Sequence, residues 1–510
     1  MSISIATPVV AKDRAGRREW LGLLVLMLPV LLVAADNTVL SFAIPSISLA
    51  LNPSGTELLW IVDVYSLVLA GLLVPMGSVG DRIGRRRLLL IGSAGFGVVS
   101  VLAAFVSSGE MLIAARAVLG FFGAMLMPAT LSLIRNMFTD TTQRRTAVAI
   151  WAAGFSSGAA LGPIAGGFLL EHFWWGSVFL VAVPVLIPLL VLAPFFVPES
   201  RDPAPGPVDP ISIALALLTM APVVYGIKAL AVDGAGAASV APIAVGLFFG
   251  GPFVRRQLRR RIPMLDVRLF RNPVFSGALT ANLLSIFSLV GFIFFLSQHL
   301  QLVAEQSPLE AGLTMLPGLA LTILAGLAVV PMVRRIKPSY VVAGGLLLNA
   351  VGYYVVLQTG HQGDVHGVMA GFMILGAGVG AGETISNDLI LSSVPATKAG
   401  AASAISETAY ELGAVLGTAI LGSIVTAAYQ RNVVIPAGLS GPDQLVAGET
   451  LGGAVDVAAS LPSGPGQALL ESAKAAFDSG VATTAAIGVA LMVSAAVTVL
   501  LTLRSTKADR

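Results

Sequence analysis

Gly77-Ser78-Val79-Gly80-Asp81-Arg82-Ile83-Gly84-Arg85-Arg86-Arg87 separates two apolar runs, at about 57 to 79 and about 88 to 107. Each run is close to the ~20 residues a helix needs to cross ~30 Å of hydrocarbon. The arginines mark the turn between them as cytoplasmic, and the glycines permit a tight reversal. Asp81 can accept hydrogen bonds from a neighbouring arginine or from a helix amino terminus, in one conformation only. Gly77, Asp81, Arg82, Gly84, Arg85 and Arg86 therefore read as a charged clasp that breaks and reforms, a cytoplasmic gate. Plain topology explains the arginines but not the aspartate or the glycines.

The rest of the chain repeats the pattern of apolar run and basic turn. Of 510 residues, 56% are hydrophobic and 11% charged, and the mean hydropathy is +0.89, where a soluble domain carries about 25% charge. This composition is that of an integral membrane protein. Hydrocarbon-length segments fall at about 20 to 47, 57 to 79, 88 to 107, 110 to 134, 146 to 170, 176 to 197, 211 to 231 and 237 to 254, and then at about 273 to 297, 309 to 331, 339 to 358, 366 to 392, 402 to 428 and 481 to 503. That gives fourteen helices, because only helices satisfy their own backbone groups in lipid at this apolar density. With both termini cytoplasmic, every basic residue except Arg116, Lys228, Arg431 and Lys474 lies on the inner side. Arg116 and Lys228 fall within helices.

The expected organisation is a cytoplasmic leader over 1–19, a six-helix bundle over 20–197, linkers with inserted helices seven and eight over 198–272, a second six-helix bundle over 273–503, and a cytoplasmic tail over 504–510. An external segment, 429–480, interrupts the second bundle and reads as a surface hairpin or lid, weakly amphipathic around Leu445 to Leu461 and Ala468 to Phe477. Val74-Pro75-Met76 and Val330-Pro331-Met332 precede corresponding basic turns, as parallel halves of a secondary transporter would have them.

Several chemistries are excluded. Zero cysteines remove disulfides, thiolate nucleophiles and cysteine-based metal sites. None of the six lysines follows a glycine, so there is no phosphate-cradling loop and no ATPase engine. His172, His299, His361 and His366 form no metal-binding spacing and read as interface residues near outer helix ends. A net charge of +3 is too small and dispersed to point to nucleic acid.

Charge inside the membrane is the informative signal, since an ionised side chain at mid-bilayer costs at least ~2.5–3.5 kcal/mol and should face a cavity or a partner. Asp36, Asp63 and Arg116 share about the same outer slab, which points to a network of one arginine with two carboxylates. Independent snorkelling to the interface is the alternative, strongest for Asp63. Glu407 and Glu411 are i, i+4 on helix thirteen, on one face, near mid-membrane. Two close carboxylates in low dielectric cannot both ionise easily, so at least one should hold a proton near neutral pH, and such a pair can exchange a proton for a cation. Glu383 stands between a site residue and a packing residue, and Asp388 reads as a cytoplasmic-end residue. On helix five, Gly154, Gly158, Gly162 and Gly166 recur every four residues with Pro163 and Gly167 interleaved, a surface for close helix approach with a bend; generic packing explains it equally.

At these residues the chain resembles the major facilitator superfamily, and within it the fourteen-helix drug:proton antiporters that export quaternary-ammonium and other drugs. Gly77 to Arg87 resembles the superfamily's loop signature, Arg116 to Gly120 with Gly123 its fourth-helix signature, and Gly154 to Gly167 the antiporter signature of helix five. Asp36-Asn37-Thr38-Val39 with Pro45, Trp60 with Asp63, Tyr65 and Leu67, Pro263 to Phe270, Gln301 with Ser307-Pro308-Leu309 and Pro317, and Glu407-Thr408 with Glu411-Leu412-Gly413 are similar to this branch. Departures are Trp175-Gly176 and Ala182 in helix six, Glu305 where glycine is usual, and no mid-membrane acid in helix ten.

The resemblance implies the major facilitator fold in a cell membrane and export of hydrophobic, mainly cationic drugs and dyes such as ethidium against inward proton flow. It implies a monomer that needs no cofactor and is not an enzyme. Asp36 with Glu407 or Glu411 would bind protons and substrate charge. Arg116 would tune the amino-terminal carboxylates, and Asp63 would assist near the outer opening. Asp81 and its arginines would clasp the cytoplasmic side in the outward-open state, while the glycine face of helix five lets the halves rock. A nutrient importer on the same fold, or a passive channel or scaffold, are the rival expectations.

Overall fold

The computed structural model describes residues 14–201, 208–261, 263–333, 335–359, 364–394, 399–436 and 439–503. The first part of the expected leader, the expected tail 504–510, and Arg334, His361 and Lys398 lie outside the described residues, as does the side chain of Asn37.

The described residues are helical, with no strand among them. The first six spanning helices are α1 (Arg17–Leu51), α2 (Gly55–Ile83), α3 (Arg85–Ala104), α4 (Gly109–Met137), α5 (Thr141–His172) and α6 (Ser177–Phe196), the last interrupted at Val181. The inserted pair follows as α7 (Pro210–Asp233) and α8 (Ala237–Arg259). Then come α9 (Pro273–Val303), α10 (Pro308–Met332), α11 (Pro338–Thr359), α12 (Val365–Ser392) and α13, which runs from Ala399 through a π-helical turn at Thr418–Gly422 to Asn432. Two short helices, α14 (Gly441–Glu449) and α15 (Leu451–Ser460), lead into the final α16 (Ser463–Thr502). Thirteen of these helices are long and apolar enough to cross a membrane among the described residues, and α5, with 32 residues, is the fourteenth spanning helix.

Helix starts follow local chemistry. Ser54 accepts a bond from the Glu57 N–H while Glu57 reaches back, and Ser307 and Glu310 do the same ahead of α10, where Pro308 fills a position needing no N–H donor. Buried apolar side chains form two large clusters. One runs from Leu23 to Val197; the other runs from Leu269 to Leu503 and takes in Phe42. Each half thus has its own core, and the halves meet where α5 packs on α10 and α2 packs on α13. Helix α7 lies against α2 and α13 at that second seam, where Val224 packs with Leu67, Val415 and Ala419. Helix α8 turns Leu247 and Phe248 outward, 65% and 71% exposed, as a lipid-facing helix would.

Two expectations change. The segment over 429–480 is not one surface hairpin: Ala468 to Phe477 forms the outer end of the 40-residue α16. Helix continues there because no proline follows Pro465, and at Gly480 a Cβ would stand 2.9 Å from the Val425 carbonyl, so the glycine admits the close approach of α13. The remaining part, α14 and α15, is not free: Ala447, Leu451, Ala454 and Val457 pack into the second bundle's core, and polar contacts reach the outer ends of the first. The Ser48 and Thr450 hydroxyls are 3.1 Å apart, and Gly55 N–H donates to Glu449 at 3.1 Å. His299 also departs from an interface position, being fully buried 3.3 Å from Asp478.

Candidate functional site

The outer ends of the two bundles are in contact. A Cβ on Gly167 of α5 would lie 2.7 Å from the Pro308 carbonyl and 2.8 Å from the Leu309 Cα. The Gln301 side-chain amide donates to the Phe42 carbonyl at 3.1 Å across the α1–α9 seam. Below these contacts a cavity of about 360 Å³ opens between the halves, from Arg135, Leu391 and Ser403 near the cytoplasmic helix ends up to Tyr410 and Glu411. The conformation is inward-facing.

Three carboxylates line this cavity: Glu383 of α12 with Glu407 and Glu411 of α13. The i, i+4 spacing puts Glu407 and Glu411 on one face as expected, and Glu383 joins them because α12 lies beside α13. Glu411 is 4% exposed and lies within electrostatic reach of Glu407, Arg116 and Asp36. One wall is polar: the Asn282 amide donates to Ser406 at 3.2 Å, and the Ser406 hydroxyl donates to Asn387 at 2.7 Å. The opposite wall is apolar, with Leu69, Leu73, Met127, Leu131 and Trp151. An amphipathic organic ion finds both of its halves matched here.

The expected network of one arginine with two carboxylates is corrected. Arg116, 1% exposed, binds Asp36 at 2.6 Å, donates to the Ile61 carbonyl at 3.3 Å, and lies 4.4 Å over the Tyr65 ring. Asp63 does not join it. Ile61 and Tyr65 share one face of α2, while Asp63, two residues from each, points about 200° around the helix. It meets Lys228 of α7 instead, at 2.8 Å, with the ammonium 4.1 Å from the centre of the Trp60 ring. Lys228 was legible as a lone cation in an apolar helix, but its partner was not, because nothing in the sequence fixes where the inserted pair docks.

The cytoplasmic turn is held within the first bundle in this conformation. Arg85 binds Asp81 at 2.8 Å and donates to the Ser200 hydroxyl at 3.0 Å, and Arg86 donates to the Val197 carbonyl at 3.0 Å. Gly84 has φ of 111°, where a Cβ would also strike the Glu199 carboxyl at 2.7 Å, so glycine is required there. Gly77 has no such constraint, its nearest neighbour being Pro128 at 3.7 Å. Arg82 is exposed at the end of α2.

On α5, the row Gly154, Gly158, Gly162 and Gly166 faces α1 of its own bundle, meeting Met27, Leu31, Thr38 and Val39 in turn. The crossing to the other bundle is made by Pro163 and Gly167 against Gly312, Pro308 and Leu309. No cluster of three or more potential metal-ligating side chains occurs among the described residues.

Comparison with known proteins agrees with this architecture. Residues 26–418 match the Major Facilitator Superfamily. The chain is 59% identical to the multidrug efflux pump LfrA of Mycolicibacterium smegmatis over 95% of this chain and 96% of that protein. It is 39% identical to the methyl viologen resistance protein SmvA of Salmonella typhimurium, over 90% and 93%. Among solved structures, a bacterial homolog of the human lysosomal transporter Spinster, inward-facing and unoccupied, superposes with a TM-score of 0.67 at 17% identity, covering 97% of this chain and 99% of that one. The chain belongs to the Major Facilitator Superfamily and is a multi-pass transporter of the cell membrane.

Proposed function

We propose that the protein is a proton-coupled antiporter that exports hydrophobic, mainly cationic compounds, quaternary ammonium ions and dyes such as ethidium among them, working as a monomer without a cofactor. The observation that carries this reading is the inward-facing cavity with Glu383, Glu407 and Glu411 on its wall. A carboxylate in a low-dielectric cavity needs a proton or a cation to offset its charge. Binding of one excludes the other, and alternating access turns that exclusion into exchange. The multidrug efflux pump and the methyl viologen resistance protein, similar over nearly the whole chain, support a cationic cargo.

Asp36 and Arg116 form the companion element. A bound proton or cation at Glu411 changes the field at this ion pair, so the pair reads the occupancy of the cavity. The α5–α10 crossing is the element whose contacts must change between the two open states, whereas the Asp81–Arg85 pair, expected as a clasp of the outward-open state, is already made inside the first bundle here. Cells expressing the chain should extrude ethidium, and collapsing the pH gradient should abolish the extrusion. Ethidium retained equally with and without the chain overturns the reading.

A further inference from the structure

Among the described residues of the inserted helix pair, Lys228 is the one charged residue buried in the seam between the two bundles. It is 1% exposed, and Asp63 is equally enclosed. Its ammonium has three N–H groups and two neighbours to receive them, the Asp63 carboxylate at 2.8 Å and the face of Trp60 at 4.1 Å. Arg116 contrasts with it, being held by a carboxylate, a backbone carbonyl and a ring together. A carboxylate beside an aromatic face is also the chemistry that recognises an alkylated ammonium headgroup, which brings charge and apolar surface but no N–H donor.

Asp63 also lines a second cavity of about 70 Å³, together with Thr38, Ser41, Arg116, Tyr410 and Thr418. Tyr410 borders both this space and the large carboxylate cavity below. Tyr410 thus stands between the carboxylate cavity and the small space beside the enclosed Asp63 carboxylate.

We propose that Lys228 is a tethered stand-in for the transported cation: its ammonium occupies a cation box made by Trp60 and Asp63, and the headgroup of an alkylated ammonium substrate displaces it. The proposal rests on the cation-export reading above and adds a second station for the charge, beyond the carboxylates of the large cavity. It gives the inserted pair a role. Without cargo, a bare carboxylate in this seam would be costly, and Lys228 keeps it compensated. With cargo, a permanent cation takes over the same carboxylate and the same ring, and Lys228 moves aside along α7. A tethered competitor acts at an effective concentration of the millimolar order, which holds affinity down and release fast.

The test is calorimetric titration of the purified full chain in detergent with phenyltrimethylammonium and with tert-butylbenzene, its uncharged isostere. Lys228→Met is expected to bind phenyltrimethylammonium at least about tenfold tighter than the unaltered chain, because the competitor is gone. The gain should vanish when Asp63→Asn is added, should shrink with Trp60→Leu, and should be missing for tert-butylbenzene. Lys228→Gln, which keeps a donor beside Asp63, carries the same expectation. An equal gain for the uncharged isostere means loosened packing and overturns the proposal. Binding to the unaltered chain with no gain in either Lys228 variant overturns the proposal while leaving cation export standing. Absence of cation binding in every protein overturns both.

Discussion

The carbonyl of Pro163 on α5 stands 2.5 Å from where a Cβ of Gly312 on α10 would lie, so the two bundles touch backbone to backbone at their outer ends. Contact this close exists only while position 312 lacks a side chain. It is the outer seal of the inward-facing state.

Gly312→Val is therefore expected to disfavour that state. Overpacking costs ~1–3 kcal/mol, which is roughly a 5- to 150-fold shift in a two-state population. The chain has no cysteine, so a single Ser403→Cys in the cavity reports the state directly. Its labelling by a charged thiol reagent from the cytoplasmic side should slow when Gly312→Val is added.

The carboxylates of α12 and α13 make separate contributions. Glu407→Gln and Glu411→Gln each remove a charge-assisted contact worth ~1.5–3 kcal/mol, and binding of ethidium should weaken roughly 10- to 150-fold. Glu383→Gln should weaken it as well, since the three side chains share one cavity. Fluorescence titration of the purified variants checks this.

The pair between Asp63 and Lys228 has a stability signature. Removing one partner of a buried ion pair costs ~3–5 kcal/mol, whereas removing both charges is close to neutral. Thermal unfolding should show Asp63→Asn and Lys228→Met each below the unaltered protein, with the double variant recovering most of the loss. Saturating phenyltrimethylammonium should raise the Lys228→Met midpoint more than that of the unaltered chain.

At the cytoplasmic end of the inserted pair, Asp209 caps α7 and binds Arg256 at 2.8 Å and Arg260 at 3.2 Å. The Arg256 hydrogen bond holds the Asp209 carboxyl well below the usual carboxylate range. A lowered folded-state value means the stabilisation is complete above the ordinary carboxylate pKa of ~3.9 and is lost as pH falls below it through the lowered value. The unfolding midpoints of the unaltered chain and Asp209→Asn should thus differ at pH 6 and converge as the pH drops below about 4.

The sequence made the spans, their sidedness and the Glu407–Glu411 face readable, because hydrocarbon length and helical period act locally. Glu383 could not be assigned, since its role depends on α12 lying beside α13. Asp63 was drawn to the wrong partner for a related reason: depth along a helix follows from counting residues, but azimuth toward a neighbour needs the packing. The glycine row of α5 was visible as a close-approach surface, yet only the structure distinguishes α1, its actual partner, from α10. Glu305 is a case of strain visible as a departure. It sits at φ of 57°, where glycine is comfortable, and is tied to Lys474 at 2.5 Å, which holds its carboxyl below the ordinary range.

The central claim is that proton and cation compete for the carboxylates of the inward-facing cavity. Its most direct measurement is ethidium uptake into proteoliposomes carrying the purified chain, driven by an imposed pH gradient, with proton movement followed by an internal pH dye. Uptake of ethidium accompanied by counterflow of protons, both abolished together by Glu407→Gln with Glu411→Gln, is the predicted result. Ethidium movement that is indifferent to the pH gradient, or that persists at the same rate in the double variant, would contradict it.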